Sequence, residues 1–221
     1  MSFIQLDTII LLGQEVLPLI AHTAEVIALD FNSITSQELI TGSFDHTISI
    51  WDLREGGRVA VLLGHEAEIS NCLYDWSCHL VASSSFDNTA RVWDVRTRRC
   101  LATISSHTDE VLDVSFDYCG KRLATGSLDC SARIFDVKTD FREMTTMVGH
   151  AEEVSKVCFS PGGNTLLTAS ADMTARLWNC ESGNCTQVLS GHRGEVFSCA
   201  FSYLGDTLVT ASKDNACRVW R

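Results

Sequence analysis

Short runs in which apolar and polar residues alternate follow one another along most of the chain. Residues 154–160, 165–170, 175–179 and 185–190 are four such runs, and turn-forming sequences such as Pro161-Gly162-Gly163-Asn164 separate them. Alternation with a period of two over a few residues is typical of β-strands. The pattern therefore predicts four antiparallel strands in about 42 residues, and an all-β fold.

The same unit recurs along the chain, and four residue types mark it. Histidines stand 42 or 43 residues apart: His22, His65, His107, His150 and His192. An aromatic residue follows each histidine after 28 or 29 positions: Trp51, Trp93, Phe135, Trp178 and Trp220. An aspartate precedes each aromatic residue by six positions: Asp45, Asp87, Asp129, Asp172 and Asp214. A serine precedes each aspartate by two: Ser43, Ser85, Ser127, Ser170 and Ser212.

This coincidence indicates internal repeats. It divides the chain into an N-terminal segment, residues 1–21, and five units, residues 22–64, 65–106, 107–149, 150–191 and 192–221. The dipeptides that frame the units resemble those of WD repeats: Gly64-His65, Gly149-His150, Gly191-His192, Trp51-Asp52 and Trp93-Asp94. The resemblance covers residues 21–221 and implies a β-propeller with five four-stranded blades around a central channel.

The family pattern makes the strand before each histidine the outer strand of the preceding blade. The last unit ends at Arg221, after its third strand, so its blade lacks an outer strand. Residues 16–20 stand where an outer strand is expected and are a possible closing strand for that blade. The other interpretation, which we favour, is that the chain is a partial or short form of a larger propeller.

The repeated Trp, Ser, His and Asp residues are predicted to form a buried hydrogen-bonded chain in each blade, running from the indole N–H through Ser and His to Asp. Ser, His and Asp can also form a catalytic triad, but a triad occurs once, in a cleft. Here the set occurs five times, so we predict a structural role and no enzyme. Because Phe135 has no N–H group, the third unit should have the weakest chain.

A glutamate stands three residues after each histidine: Glu25, Glu68, Glu110, Glu153 and Glu195. The resemblance places this position on the top face, at the channel mouth, together with the residue two positions later: Ile27, Ser70, Leu112, Ser155 and Phe197. It places the residue before each of the repeated aspartates at the same rim: Phe44, Phe86, Leu128, Ala171 and Lys213. These residues predict a site for a basic or amphipathic protein segment. The other interpretation is that the glutamates only solvate loops or bond to the next blade.

Composition narrows the function classes further. The net charge of −11 argues against nucleic-acid binding. The ten cysteines show no C-x-x-C pair or zinc spacing, and we expect them to be reduced and mostly buried. No phosphate-binding glycine loop is present, so we expect no cofactor, metal or small-molecule substrate. The apolar run at residues 9–12 is too short to span a membrane.

A finer resemblance concerns residues 40–47 (ITGSFDHT), 110–121 (EVLDVSFDYCGK), 197–201 (FSCAF) and 212–221 (SKDNACRVWR). These runs, and phenylalanine at position 135, resemble the last five repeats of the ciliary outer-arm dynein assembly factors with WD repeats. That resemblance implies an adaptor between axonemal dynein and intraflagellar transport, located in the cytoplasm and in the cilium or flagellum, at the axoneme or basal body. The alternative is a generic WD-repeat scaffold, such as a ubiquitin-ligase substrate receptor or a centriolar protein.

Overall fold

The computed structural model describes residues 18–221, which form nineteen β-strands in five antiparallel sheets and one short 3-10 turn, Val137–Thr139. Four sheets have four strands each, and the fifth sheet has three strands within the described residues. The predicted all-β architecture of five propeller blades is confirmed. The last unit ends after its third strand, as the repeat pattern predicts.

The strands of each blade follow chain order, so every sheet is an up-and-down meander. Blade 1 contains β1 (Val26–Phe31), β2 (Glu38–Ser43), β3 (Ile48–Asp52) and β4 (Gly57–Leu62). Blade 2 contains β5 (Ile69–Tyr74), β6 (Leu80–Ser85), β7 (Ala90–Asp94) and β8 (Arg99–Ile104). Blade 3 contains β9 (Val111–Phe116), β10 (Arg122–Ser127), β11 (Ser131–Asp136) and β12 (Arg142–Val148). Blade 4 contains β13 (Val154–Phe159), β14 (Thr165–Ser170), β15 (Thr174–Asn179) and β16 (Cys185–Ser190). Blade 5 contains β17 (Val196–Phe201), β18 (Leu208–Ser212) and β19 (Cys217–Trp220).

The core lies between neighbouring blades. One cluster joins Ile134 and Met147 of blade 3 to Val154, Val157 and Phe159 of blade 4, and all five side chains are buried. Close approach of the sheets requires a glycine in blade 3, because a Cβ atom at position 126 would lie 2.9 Å from methyl groups of both valines. Burial of these alternate residues provides the main stabilisation of the fold.

The two end blades each leave one face uncovered by the described residues. Phe31 on β1 is 53% exposed, whereas Phe159, at the equivalent position of β13, is 1% exposed. On blade 5, Val219 is exposed while its equivalent in blade 2, Val92, is buried. The described blades therefore form an arc with an open face at each end. Of the suggested closing strand, residues 16 and 17 lie outside the described residues, and residues 18–20 belong to no strand.

The cysteines are less buried than predicted. All ten are free, but only Cys72, Cys78, Cys180 and Cys199 are buried. Cys100 and Cys185 lie on outer strands, which have solvent on one side, and Cys217 lies on β19, beside which residues 18–221 place no fourth strand. No helix among residues 18–221 is long and apolar enough to cross a membrane.

Candidate partner-binding face

Blade 2 shows the hydrogen-bonded chain that underlies the candidate site. Trp93 Nε1–H donates to Ser83 Oγ at 2.9 Å, and the Ser83 hydroxyl lies 2.8 Å from His65 Nε2. On the other side of the ring, His65 Nδ1 lies 2.7 Å from Asp87 Oδ2. The chain is satisfied if the neutral histidine carries its proton on Nδ1, donates it to the aspartate and accepts the hydroxyl proton at Nε2. These contacts join the second and third strands to the loop that enters the blade.

The hydroxyl in this chain is not the serine that the spacing suggests. In all five blades it belongs to the residue two positions earlier: Thr41, Ser83, Thr125, Thr168 and Thr210. The prediction of Ser43, Ser85, Ser127, Ser170 and Ser212 as members of the chain is therefore wrong. Residues 83 and 85 share one face of the strand because side chains alternate. Only the pairing with the third strand, which places Val81 opposite Trp93, decides that the hydroxyl of residue 83 meets the indole.

The displaced serines still have a repeated structural role. Ser85 Oγ donates to the carbonyl oxygen of Ala67 at 3.2 Å and accepts the backbone N–H of Asp87 at 3.1 Å. The same pair of contacts recurs in the other four blades, at Ser43, Ser127, Ser170 and Ser212. Each serine ties the loop before the inner strand to the turn after the second strand.

The aspartate is the most heavily used acceptor in each blade. Asp87 accepts from His65, from the backbone N–H of Glu66, and from both the N–H and the hydroxyl of Thr89. The turn it stabilises has one residue with positive φ in every blade: His46, Asn88, Cys130, Met173 and Asn215. Such a conformation is costly for residues other than glycine, so the carboxylate fixes a strained turn as well as the histidine.

Blades 3 and 5 each lack one hydrogen bond that the other blades make, blade 3 within the chain and blade 5 at its aspartate. In blade 3, His107 still contacts Thr125 Oγ1 at 2.6 Å and Asp129 Oδ2 at 2.8 Å, but Phe135 donates nothing to the hydroxyl. In blade 5, the position of Thr89 is taken by Ala216, which offers only its N–H group to Asp214. That the third unit has the weakest chain stays a prediction; the hydroxyl that lacks the indole donor there is that of Thr125, not Ser127.

Titration of His107, His150 and Asp172 should make the fold acid-sensitive in two steps. Burial lowers the pKa of His107 and His150 below the ordinary 6.5, and their aspartates only partly oppose this. Burial raises the pKa of Asp172, but hydrogen bonds from Thr174 and His150 outweigh it and lower this pKa to about 2. Both kinds of group bind fewer protons in the folded state than in the unfolded state, so acid favours unfolding.

We therefore expect the urea midpoint to be flat above about pH 7, to fall as the pH drops below about 6.5, and to fall again below about pH 4. Equilibrium unfolding at a series of pH values measures this. The variant Asp172→Asn should lose part of the second decline and keep the first. A midpoint that rises between pH 6.5 and 5 would contradict the assignment of neutral, buried histidines.

One backbone hydrogen bond, repeated in every blade, connects the residues of the predicted partner-binding face. The carbonyl oxygen of each glutamate accepts the N–H of the residue before the turn aspartate, at 2.9–3.1 Å. The pairs are Phe44 with Glu25, Phe86 with Glu68, Leu128 with Glu110, Ala171 with Glu153, and Lys213 with Glu195. The two predicted sets of residues are therefore direct neighbours at the same end of every blade.

A repeated β-bulge positions the third set of residues predicted for this face, which stand two positions after each glutamate. In blade 1, Val26 pairs with Ser43 and Ala28 with Gly42, which leaves Ile27 as the extra residue. The same register shift leaves Ser70, Leu112, Ser155 and Phe197 as extra residues in the other inner strands. A bulge redirects a side chain out of the regular pleat. Ile27 and Phe197, which lie in the two end blades, are exposed, and Leu112 of blade 3 is half-buried.

The face is not uniform around the arc. Phe44 and Phe86 of neighbouring blades have ring centroids 6.1 Å apart and form one half-buried aromatic pair. In blade 5, Lys213 Nζ lies 2.8 Å from Glu195 Oε1, which neutralises that part of the face. Among the five glutamates, within the described part of the chain, only Glu195 has an ion pair. Negative charge is thus concentrated on blades 1–4.

Sequence reasoning missed a polar cluster on the inner strands. The buried carboxylate of Asp113 accepts from Asn71 Nδ2 at 2.6 Å, from Lys156 Nζ at 2.9 Å and from the backbone N–H of Val157 at 2.8 Å. It therefore bridges blades 2, 3 and 4 and satisfies an unpaired inner-strand N–H group. An aspartate inside an apolar strand of one repeat was the available signal. No group of metal-ligating residues occurs among residues 18–221.

Comparison with known proteins identifies the family. Five segments match the WD domain, G-beta repeat family: residues 13–52, 56–94, 98–136, 141–179 and 183–221. Because these segments cover most of the chain, the protein belongs to the WD-repeat family. WD-repeat proteins act as scaffolds for protein interactions.

Individual relatives match over short segments. The guanine nucleotide-binding protein subunit beta of Oryza sativa subsp. japonica is 41% identical over 51 residues, which is 23% of this chain and 13% of that protein. The peroxisomal targeting signal 2 receptor of Mus musculus is 34% identical over 60 residues, which is 27% of this chain and 18% of the receptor. The matched segments thus span less than a fifth of either relative.

Proposed function

We propose that the glutamate-bearing face of this scaffold captures a basic or amphipathic segment of a protein partner. The observation that carries the proposal is the repeated adjacency of each glutamate to the residue before the turn aspartate, which makes Glu25 and Glu68 direct neighbours of the Phe44–Phe86 pair. Exposed carboxylates increase the association rate of a basic partner, and aromatic side chains supply most of the binding free energy. No step of this function requires catalysis or a bound cofactor.

Within that class, we propose an adaptor for the assembly or intraflagellar transport of outer-arm axonemal dynein in cilia and flagella. The support is the sequence resemblance at residues 40–47, 110–121, 197–201 and 212–221. The cytoplasm together with the axoneme or basal body is the corresponding location. The alternative function is a scaffold of a ubiquitin ligase or a centriole, and the partners recovered by the protein distinguish the two.

The face can be tested by reversing charge at two glutamates. We expect the double variant Glu68→Lys, Glu110→Lys to capture dynein-arm and intraflagellar-transport subunits from a ciliated-cell extract at least about tenfold less than the unchanged chain. Quantitative mass spectrometry after affinity capture measures this, at low and at physiological ionic strength. The loss should shrink as salt rises, because salt screens exposed charges.

A matched control uses two exposed glutamates at the other end of the blades. This control is the double variant Glu55→Lys, Glu181→Lys. Each reversal changes the net charge by +2, so the control and the test variant both have a net charge of −7 instead of −11. The control variant should capture its partners normally. Equal loss in both variants would show that overall charge, and not this face, controls binding. Recovery of ubiquitin-ligase or centriolar subunits in place of dynein would contradict the adaptor proposal alone.

A further inference from the structure

A second candidate site lies at the opposite end of the blades from the glutamates. A recess of about 440 Å³ opens beside the last residues of the inner strands β1, β5, β9 and β13 and the turns that follow them. The glutamates precede the inner strands, so the two sites are separated by the length of a strand. The volume is within the range of small-ligand pockets and is sufficient for one long side chain.

The recess has an exposed aromatic wall. Trp76 and Tyr118 lie in the equivalent turns of blades 2 and 3, with ring centroids 4.9 Å apart and a 32° angle between the rings. Trp76 is 53% exposed and Tyr118 is 40% exposed. Blades 2 and 3 each pack against a neighbour on both sides, so the open ends of the arc do not explain this exposure. A large aromatic pair left in solvent points to a binding surface.

A carboxylate with unused hydrogen-bonding capacity lines the same recess. Asp30 accepts the N–H of Phe31 at 3.0 Å and the N–H of Tyr74 at 2.8 Å, which leaves lone pairs on both oxygens free. Among residues 18–221, Asp30 has no ion-pair partner. Burial raises its pKa, and a cation beside it would oppose that effect.

Two other charged groups line the recess, Lys156 and Asp75. Lys156 is paired with Asp113 at 2.9 Å, so it does not neutralise Asp30. Asp75 accepts the N–H of Leu80 at 2.8 Å and both the N–H and the hydroxyl of Ser77, and thereby shapes the turn that presents Trp76. The recess therefore combines a pair of aromatic rings in contact with a carboxylate, Asp30, that accepts only two backbone N–H groups.

We propose that this recess binds an arginine side chain presented by a partner protein, with the guanidinium group stacked on the Trp76–Tyr118 pair and paired with Asp30. A planar guanidinium is better suited than an ammonium group to stacking on an aromatic face and to simultaneous contact with a carboxylate. The chain then has two independent binding faces, which is what a scaffold that joins two partners requires. The proposal does not rest on the glutamate face.

The test uses the full chain and the signals of its five tryptophan indole groups in a ¹H–¹⁵N spectrum. N-acetyl-arginine amide is titrated, with N-acetyl-citrulline amide as its neutral analogue of nearly the same shape. We expect the Trp76 signal to shift with a dissociation constant on the order of 1 mM, in the range of a single weak contact. The signals of Trp51, Trp93, Trp178 and Trp220, which belong to the hydrogen-bonded chains, should stay in place.

The variant Asp30→Asn should weaken binding at least about tenfold, whereas Glu181→Gln, an exposed change at the same end of the blades, should leave it unchanged. Unshifted signals of the other four indoles in each variant verify that the fold is intact. Three results would overturn the proposal: no shift of Trp76 with the arginine amide, an equal shift with the citrulline amide, or undiminished binding by Asp30→Asn. Tighter binding of N-acetyl-lysine amide would overturn the assignment to arginine.

Discussion

Replacement of Phe159 by alanine is expected to lower the free energy of unfolding by about 3–5 kcal/mol, the usual cost of removing a fully buried phenylalanine. Phe159 ends the inner strand of blade 4 and packs with Ile134 and Met147 of blade 3 and with Trp178 of its own blade. Its removal deletes contacts across a blade interface and leaves a cavity there. Equilibrium urea unfolding, followed by circular dichroism, measures the change.

The matched control is the same substitution at the equivalent position of blade 1. Phe31→Ala should cost no more than about 1 kcal/mol, because surface changes outside special contacts have small effects and Phe31 is half-exposed. The repeat pattern alone gives both positions the same environment. Equal losses at Phe31 and Phe159 would show that the open face of blade 1 is covered in solution, and the arc described above would then be wrong.

The second large effect is expected at Asp87. The variant Asp87→Ala should lose about 2–3 kcal/mol, near the upper end of the cost of leaving a buried polar group without a partner. Four donor groups lose their acceptor at once: His65 Nδ1, the N–H of Glu66, and the N–H and hydroxyl of Thr89. The carboxylate is only 8% exposed, so water cannot easily replace it.

Two comparisons separate the contributions at this position. Asp87→Asn keeps one oxygen acceptor and should cost less, about 1 kcal/mol. Asp214→Ala in blade 5 should also cost less than Asp87→Ala, because that aspartate has no hydroxyl donor at Ala216 and lies in the blade to which the described residues contribute three strands. An unchanged unfolding midpoint for Asp87→Ala would remove the stabilising role of the hydrogen-bonded chain.

The sequence predicted the architecture well because the information is repeated five times. The spacing of His65, Asp87 and Trp93, seen again in four other units, predicts strand number, turn position and the pairing of histidine with aspartate. Repetition also separates structural polar residues from catalytic ones, since a catalytic set has no reason to recur in every blade. The family match confirms the propeller class.

The prediction of the hydroxyl group in each hydrogen-bonded chain was wrong because two hydroxyl-bearing residues share one face of the strand. Ser85 and Ser83 have the same orientation relative to the sheet, and spacing cannot show which hydroxyl lies nearer to Trp93. Cross-strand register decides this, and register depends on both strands and on the bulge that shifts their pairing. The same limitation applied to the cysteines, since exposure of Cys217 depends on whether a fourth strand covers β19.

The sequence by itself determined the repeat, the all-β meander and the histidine–aspartate pairs, because each is encoded by local period and spacing. That the repeated glutamates share one face was implied by the resemblance to WD repeats. Tertiary structure alone decided which hydroxyl completes each hydrogen-bonded chain. It also decided that Phe31 is exposed while Phe159 is buried, and that Asp113 bonds to residues of two neighbouring blades. It also brought Trp76, Tyr118 and Asp30 to one recess, although they come from three different repeats. The physical reason is that these properties depend on contacts between blades, and residues about 42 positions apart in the chain become neighbours only when the blades pack.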